Sequence, residues 1–215
     1  MGYVSAAFSR ILNGFFRVVP GYFRRKRGAW FKCEFRDCCT VLDVGGNAEF
    51  WNHVDFPAQI TLLNIVGAPD HLPPRFTYIR GDGRQTGLGS GSFDLVFSNS
   101  VIEHVGTLDD QRRFANELLR LGRRLYCQTP NKWFPIDPHF LSPFVHWLPL
   151  GWFTYFVHRY FTIYGLATKP DRRGCSDLLA SIRLLNRKEL AQLFPGCRIK
   201  TERFFGLPKS FVVFK

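Results

Sequence analysis

The stretch that constrains this chain most is Thr40–Asn47, Thr-Val-Leu-Asp-Val-Gly-Gly-Asn. Val41, Leu42 and Val44 make a short apolar run, interrupted by Asp43 and stopped by two glycines. A buried parallel strand that turns at once into a helix has this pattern. Gly45 and Gly46 let backbone approach a ligand, and Asn47 tolerates a left-handed turn. The spacing predicts a helix over Ala48–Val54 with Phe50, Trp51 and Val54 inward. In open α/β sheets ligands lie beyond the carboxyl ends of the strands, where such turns sit.

The same rhythm continues. Strands are predicted at Gln59–Val66, Phe76–Arg80, Phe93–Ser98 and Arg124–Thr129, with a helix over Asp109–Leu121 that Gly122 stops. Phe114, Leu118 and Leu121 fall on one face of that helix. Residues 130–180 break the pattern: Pro130, Pro135, Pro138, Pro143 and Pro149 punctuate a run rich in Phe, Trp, Tyr and His, and Pro138–His158 carries no charged residue apart from histidine. A spanning helix is excluded there by Pro143, Pro149 and Gly151, and an inserted lid is the reading. Asn186-Arg-Lys-Glu189 then starts a helix in the manner of a capping box, with Leu190, Leu193 and Phe194 inward. Arg198–Phe204 and Ser210–Phe214 are the last two strands, joined through Gly206-Leu-Pro208. Short strands alternating with helices predict an α/β fold with a mostly parallel sheet of seven strands. The expected organisation is one domain: an amphipathic and basic segment (1–38), a cofactor-binding half (39–129), the lid (130–182), and a closing helix with two strands (183–215).

Charge divides the chain in the same way. The net charge is +12. Residues 1–38 hold eight basic and two acidic residues, 39–130 hold eight and ten, and 131–215 hold thirteen and five. The middle is near neutral and the flanks are basic. An anionic substrate, an anionic membrane or nucleic acid each suits such flanks, as does a merely solvated surface. Val4, Phe8, Ile11, Phe15 and Val19 give residues 3–19 one apolar helical face, followed by Arg24-Arg25-Lys26-Arg27. Two readings stay open: a helix closing over the active site, or one lying on an anionic membrane through residues 1–27. Six cysteines have no paired spacing, which predicts reduced thiols in a cytoplasmic protein and no metal site. Cys38 and Cys39, beside the first strand, are expected to be small core residues.

Four strand ends carry polar residues: Asp43/Gly45/Gly46/Asn47, Asn64, Asp82, and Ser98-Asn99-Ser100 followed by Glu103-His104. This set resembles the class I S-adenosylmethionine-dependent methyltransferases, over residues 40–128 and in outline over 186–215. Val41–Gly46 is similar to the family's first motif. Gly81-Asp82 matches the acid ending the third strand. Ser92–Val105 resembles the fourth-strand motif of the methyltransferase type 11 group. The resemblance implies a Rossmann-like sheet with helices on both faces and S-adenosylmethionine as cofactor. Gly45, Gly46 and Asn47, with Asp43 behind them, would meet its amino-acid end. Asn64 and Ile65 would meet the ribose, Gly81, Asp82 and Gly83 the adenine, and Ser98, Asn99, Ser100 and His104 the sulfonium side. Asn47 and Glu49 stand where the family has glycines, and Asn64 where Asp or Glu is common. An uncharged amide accepts only through its carbonyl, so a weaker ribose contact is expected.

On the acceptor side, Gln128–His139 leaves the fifth strand and enters the lid. Asn131, Trp133, Asp137 and His139 are candidate substrate residues. His104 and His139 are candidate bases, since an imidazole can take a proton from an acceptor hydroxyl or amine. Methyl transfer to a good nucleophile also proceeds by alignment alone. The expected acceptor is a small or lipid- or sugar-linked molecule, with a hydroxyl favoured. RNA methylation and a non-catalytic binding role are the rivals, and the oligomeric state is open.

Overall fold

The computed structural model describes residues 25–137, 139, 142–148 and 151–215. The amphipathic helix expected over 3–19 lies outside the described residues. A helix over residues 25–34 (α1) leads in. There follow β1 (Thr40–Val44), α2 (Ala48–His53), β2 (Gln59–Asn64), β3 (Phe76–Arg80), β4 (Phe93–Asn99), α3 (Leu108–Leu121) and β5 (Gly122–Pro130). The lid region contains a two-stranded ribbon, β6 (Ile136–Asp137) with β7 (Ser142–Pro143), and helices α4 (Trp152–Phe161), α5 (Ile163–Thr168) and α6 (Arg172–Ala180). Helix α7 (Arg187–Leu193) and strands β8 (Arg198–Phe204) and β9 (Leu207–Phe214) close the chain.

Seven strands form one sheet in the order β3-β2-β1-β4-β5-β9-β8. The first five are parallel, and β9 runs antiparallel between β5 and β8. Strand order reverses between β1 and β4, the switch point where α/β sheets bind ligands. Each face has its own apolar layer. Phe31, Phe35, Trp51, Phe56, Phe97 and Tyr126 pack under α1 and α2, with the Phe97 and Tyr126 rings stacked 4.6 Å apart. Phe114, Leu118, Leu190 and Phe194 from α3 and α7 cover the other face. Both predicted helix starts hold. Thr107 and Asp110 cap α3 reciprocally, and Asn186 and Glu189 do the same for α7.

Three boundaries differ from expectation. Strand β2 ends at Asn64, leaving Ile65 and Val66 exposed. Gly122 ends α3 as expected, but β5 begins there rather than at Arg124, and a Cβ at Gly122 would lie 2.5 Å from the Arg124 carbonyl oxygen and 2.8 Å from Val96. The last hairpin turns at Phe205–Gly206, both at positive φ, and Pro208 is tolerated in β9 opposite a register shift at Glu202/Arg203. Cys38 is buried as expected, but Cys39 is exposed.

Two buried polar contacts fix the frame. Asp43 is 1 % exposed, and one of its carboxylate oxygens accepts from Trp51 Nε1 at 2.7 Å. That oxygen sits where a Cβ on Gly46 would be, 1.9 Å away, so a side chain at 46 is excluded. Burial pushes the Asp43 carboxyl up to about 7 against the lowering effect of Trp51. On α1, Arg27 grips both oxygens of Glu202 at 3.0 and 2.9 Å and donates to Asn99 Oδ1 at 2.9 Å. Burial alone would raise the Glu202 carboxyl; Arg27 outweighs it and holds the group below the usual range.

A raised carboxyl pKa in the folded state stabilises below the unfolded value and is lost as pH rises through the folded value. Asp43→Asn should therefore flatten the fall in stability that Asp43 contributes between pH 4 and pH 7, read from urea midpoints of variant and wild type. Removing one partner of a buried ion pair strands the other. Arg27→Met should lower unfolding free energy by about 3 kcal/mol, with much of the loss recovered by adding Glu202→Gln.

Candidate active site

The carboxyl ends of the strands form one continuous rim, joined by hydrogen bonds. Gly81 N–H donates to the Asn64 carbonyl at 2.9 Å, and Gly45 N–H to the Leu63 carbonyl at 2.7 Å. Asn64 Nδ2 reaches the Gly46 carbonyl at 3.3 Å, and Ser98 Oγ the Val44 carbonyl at 3.2 Å. Ser100 N–H donates to the Gln128 carbonyl at 2.9 Å. The predicted cofactor residues are thus brought together. Gly45 has φ +82°, and a Cβ there would strike Val101. Ser100 holds φ +56°, a conformation that costs a non-glycine residue energy; the Gln128 carbonyl and side chain anchor it.

Several of these side chains are engaged in ways the sequence did not disclose. Asn64 Oδ1 accepts from Ile65 N–H at 2.8 Å, so its amide straps the β1 turn to the β2 end. Asp82, the resemblance's adenine carboxylate, is gripped by Arg84 through both oxygens at 3.0 Å and 2.6 Å, and Arg84 reaches on to Asp110 at 2.9 Å. The Arg84 hydrogen bonds hold the Asp82 carboxyl below its usual range. Gly83 packs so closely on Phe114 and Val44 that a Cβ would meet both at 2.6 Å. Asn131 is buried and bonds the Pro208 carbonyl and Trp133 N–H; it holds the start of the lid. Trp133 is 60 % exposed beside Trp147.

The acceptor-side candidates meet. After β4 the chain makes a short turn of 3-10 helix, Ile102–His104, whose Ile102 carbonyl is held by the buried Gln111 at 2.9 Å. This turn presents Glu103 and His104 toward β5 and the lid. Asp137 is 1 % exposed; its Oδ1 accepts from His139 N–H at 2.7 Å and lies 2.8 Å from His139 Nδ1. His139 Nε2 is 3.0 Å from His104 Nε2. Glu103 is fully buried, and one of its oxygens accepts from Thr129 Oγ1 at 2.9 Å. Burial pushes the Glu103 carboxyl up to about 7. Burial would lower His139, but its contact with Asp137 outweighs this and raises it; burial and the neighbouring His139 lower His104. The sequence offered Asp137, His139 and His104 as candidates and placed Glu103 beside His104 without a role; Thr129, Gln111, Arg84 and Arg27 were not singled out for the site.

Residues 42–124 match the family model described as a methyltransferase domain. Two uncharacterised proteins of Mycobacterium tuberculosis strains are 39% identical over 51 residues, a stretch that is 24% of this chain and 17% of theirs. Among solved structures, the 1,6-didemethyltoxoflavin N1-methyltransferase of Burkholderia thailandensis, with its substrate and S-adenosylhomocysteine bound, aligns at TM-score 0.56. The alignment covers 99% of this chain and 87% of that one at 13% identity. A SAM-dependent methyltransferase from Archaeoglobus fulgidus aligns at TM-score 0.54 and 10% identity, over 89% and 93% of the two chains. These structural likenesses show a shared fold. The domain match covers less than half of the chain, and its residues 42–124 are similar to that methyltransferase domain.

Proposed function

We propose that this chain is an S-adenosylmethionine-dependent methyltransferase acting on a small or lipid- or sugar-linked acceptor, with a hydroxyl as the methylated group. The observation that carries the reading is the facing imidazole pair, His104 and His139, beside the β4 end of the polar rim. S-adenosylmethionine supplies an electrophilic methyl group when bound. The rim fits such a cofactor: exposed backbone at Gly45–Asn47 suits its carboxylate, and the second lone pair of Asn64 Oδ1 remains for a ribose hydroxyl. The backbone of Gly81–Gly83 suits a base edge beside Asp82. Ser98–Ser100, anchored by Gln128 and Arg27, line the side from which the acceptor approaches. His104 and His139 then draw the proton from the acceptor hydroxyl, and Asp137 fixes the ring of His139. The Burkholderia relative's small bound substrate supports a small acceptor.

Contact with an anionic membrane is part of the proposal. The exposed side chains of Phe153, Phe156, Tyr160 and Phe161 on α4 lie in a basic part of the chain, near Lys169, Arg172 and Arg173 in sequence. No helix among the described residues is long and apolar enough to cross a membrane. All six cysteines are free thiols, which suits a cytoplasmic location at the membrane surface.

Calorimetry should show S-adenosylmethionine binding and thermal stabilisation, and Asn64→Ala should weaken binding about tenfold by releasing the strap; no heat in the wild type would leave a binding protein without this chemistry. Incubation of labelled cofactor with fractionated metabolites should label a hydroxyl-bearing acceptor, and His139→Ala should slow that transfer about 100-fold while leaving cofactor affinity unchanged. Flotation with anionic liposomes should carry the chain, and Phe153→Ser with Phe161→Ser should release it; no flotation at low salt would end the membrane proposal.

A further inference from the structure

We propose that Glu103, His104 and His139 form a binding site for a divalent transition-metal ion of the zinc type. The first argument is the geometry of the two rings. His139 Nδ1 lies 2.8 Å from Asp137 Oδ1, so a neutral ring carries its proton there and turns its Nε2 lone pair outward. That Nε2 lies 3.0 Å from His104 Nε2, so the two rings aim one nitrogen each at a common point, where either a shared proton or a metal ion can sit.

The surroundings match what a metal requires. Ligating histidines characteristically donate their second N–H to a carboxylate or a backbone carbonyl, and here Asp137 fills that position behind His139. Glu103 supplies the third donor. It is fully buried; Thr129 bonds one oxygen, and the other has no hydrogen-bond partner among the described residues. A buried carboxylate with an unpartnered oxygen is costly, and a cation offsets that cost. The donor atoms of the three residues lie within 4.8 Å of one another. Closing around a zinc ion with bonds of about 2.1 Å requires the widest pair to approach by about 1 Å. Two imidazoles and one carboxylate with His104 exposed leave a fourth position open, as in metal centres that bind a water or a substrate hydroxyl. A hydroxyl held there loses its proton near neutral pH. With the ion bound the two histidines act on the hydroxyl through it; without the ion they act as the bases described above. This use in catalysis rests on the methyltransferase reading; the metal site itself does not.

The test is binding, measured on the full chain without S-adenosylmethionine. Protein stripped with a chelator is titrated with Co²⁺, and zinc affinity is measured by competition with a chromophoric chelator. The expected result is one equivalent of Co²⁺ with the visible absorption of a four- or five-coordinate ion, displaced by Zn²⁺. His104→Ala and His139→Ala should each abolish the band and weaken zinc by more than about 100-fold, and Asp137→Asn should weaken it about tenfold. His71→Ala, in an exposed loop remote in sequence, should change nothing. Absence of the band in wild type, or its survival in both histidine variants, overturns the inference and leaves a proton shared between the rings. If the variants fail to fold, X-ray absorption of the zinc-loaded wild type decides, since fewer than two imidazoles on the ion overturns the site. Cofactor calorimetry runs separately: cofactor binding without metal defeats this inference alone, and metal binding without cofactor defeats the methyltransferase reading alone.

Discussion

The hydrogen bond from Trp51 Nε1 to the buried carboxylate of Asp43 is the contact on which the rest of the molecule depends. It ties the end of the central strand to the first helix behind it. The carboxylate occupies the space under Gly46 and so dictates both the residue type and the path of the turn. That turn in turn receives Asn64 from β2, while Ser98 from β4 bonds the last residue of β1. One buried acid therefore sets the height at which three neighbouring strands end. A charged group in such a place is a poor stabiliser by itself. What it contributes is a single geometry for the cleft floor.

A second polar contact couples the start of the described chain to the same floor. Arg27 reaches from α1 to Glu202 near the end of β8 and to Asn99 at the end of β4. Glu202 and Asn99 lie 103 positions apart in the chain, yet one guanidinium holds both. Helix α1 thus has a fixed anchor beside the cleft.

The frame was largely legible in the sequence because its signals are local. Apolar runs stopped by glycine marked β1, and the capping pairs Thr107/Asp110 and Asn186/Glu189 sit three residues apart. The polar strand ends could be placed on one rim because parallel strands share an end. The partners of those residues were not legible. Arg84 neutralises Asp82 two positions away, and nothing in the spacing distinguishes that pairing from a solvent-facing arginine. Glu103 adjoins His104 in the motif, but its burial depends on β5 contributing Thr129, twenty-six positions on. The short helices of the stretch after β5 were not legible because prolines mask them: α4, α5 and α6 alternate with the breaks.

The junction at Gly122 has a consequence for how such a protein can diversify. Helix α3 enters β5 with no spare residue, and the space around Gly122 is filled by Arg124 and Val96. An insertion there would shift the register of β5 against both β4 and β9 and carry half the sheet with it. Between Pro130 and Arg187, by contrast, the chain leaves the sheet and returns without crossing another strand pair. New acceptor preferences can therefore arise by rebuilding that excursion while the cofactor floor stays in register. The sheet is held by the lack of slack at one glycine, and variation is freed by the abundance of it from Pro130 onward.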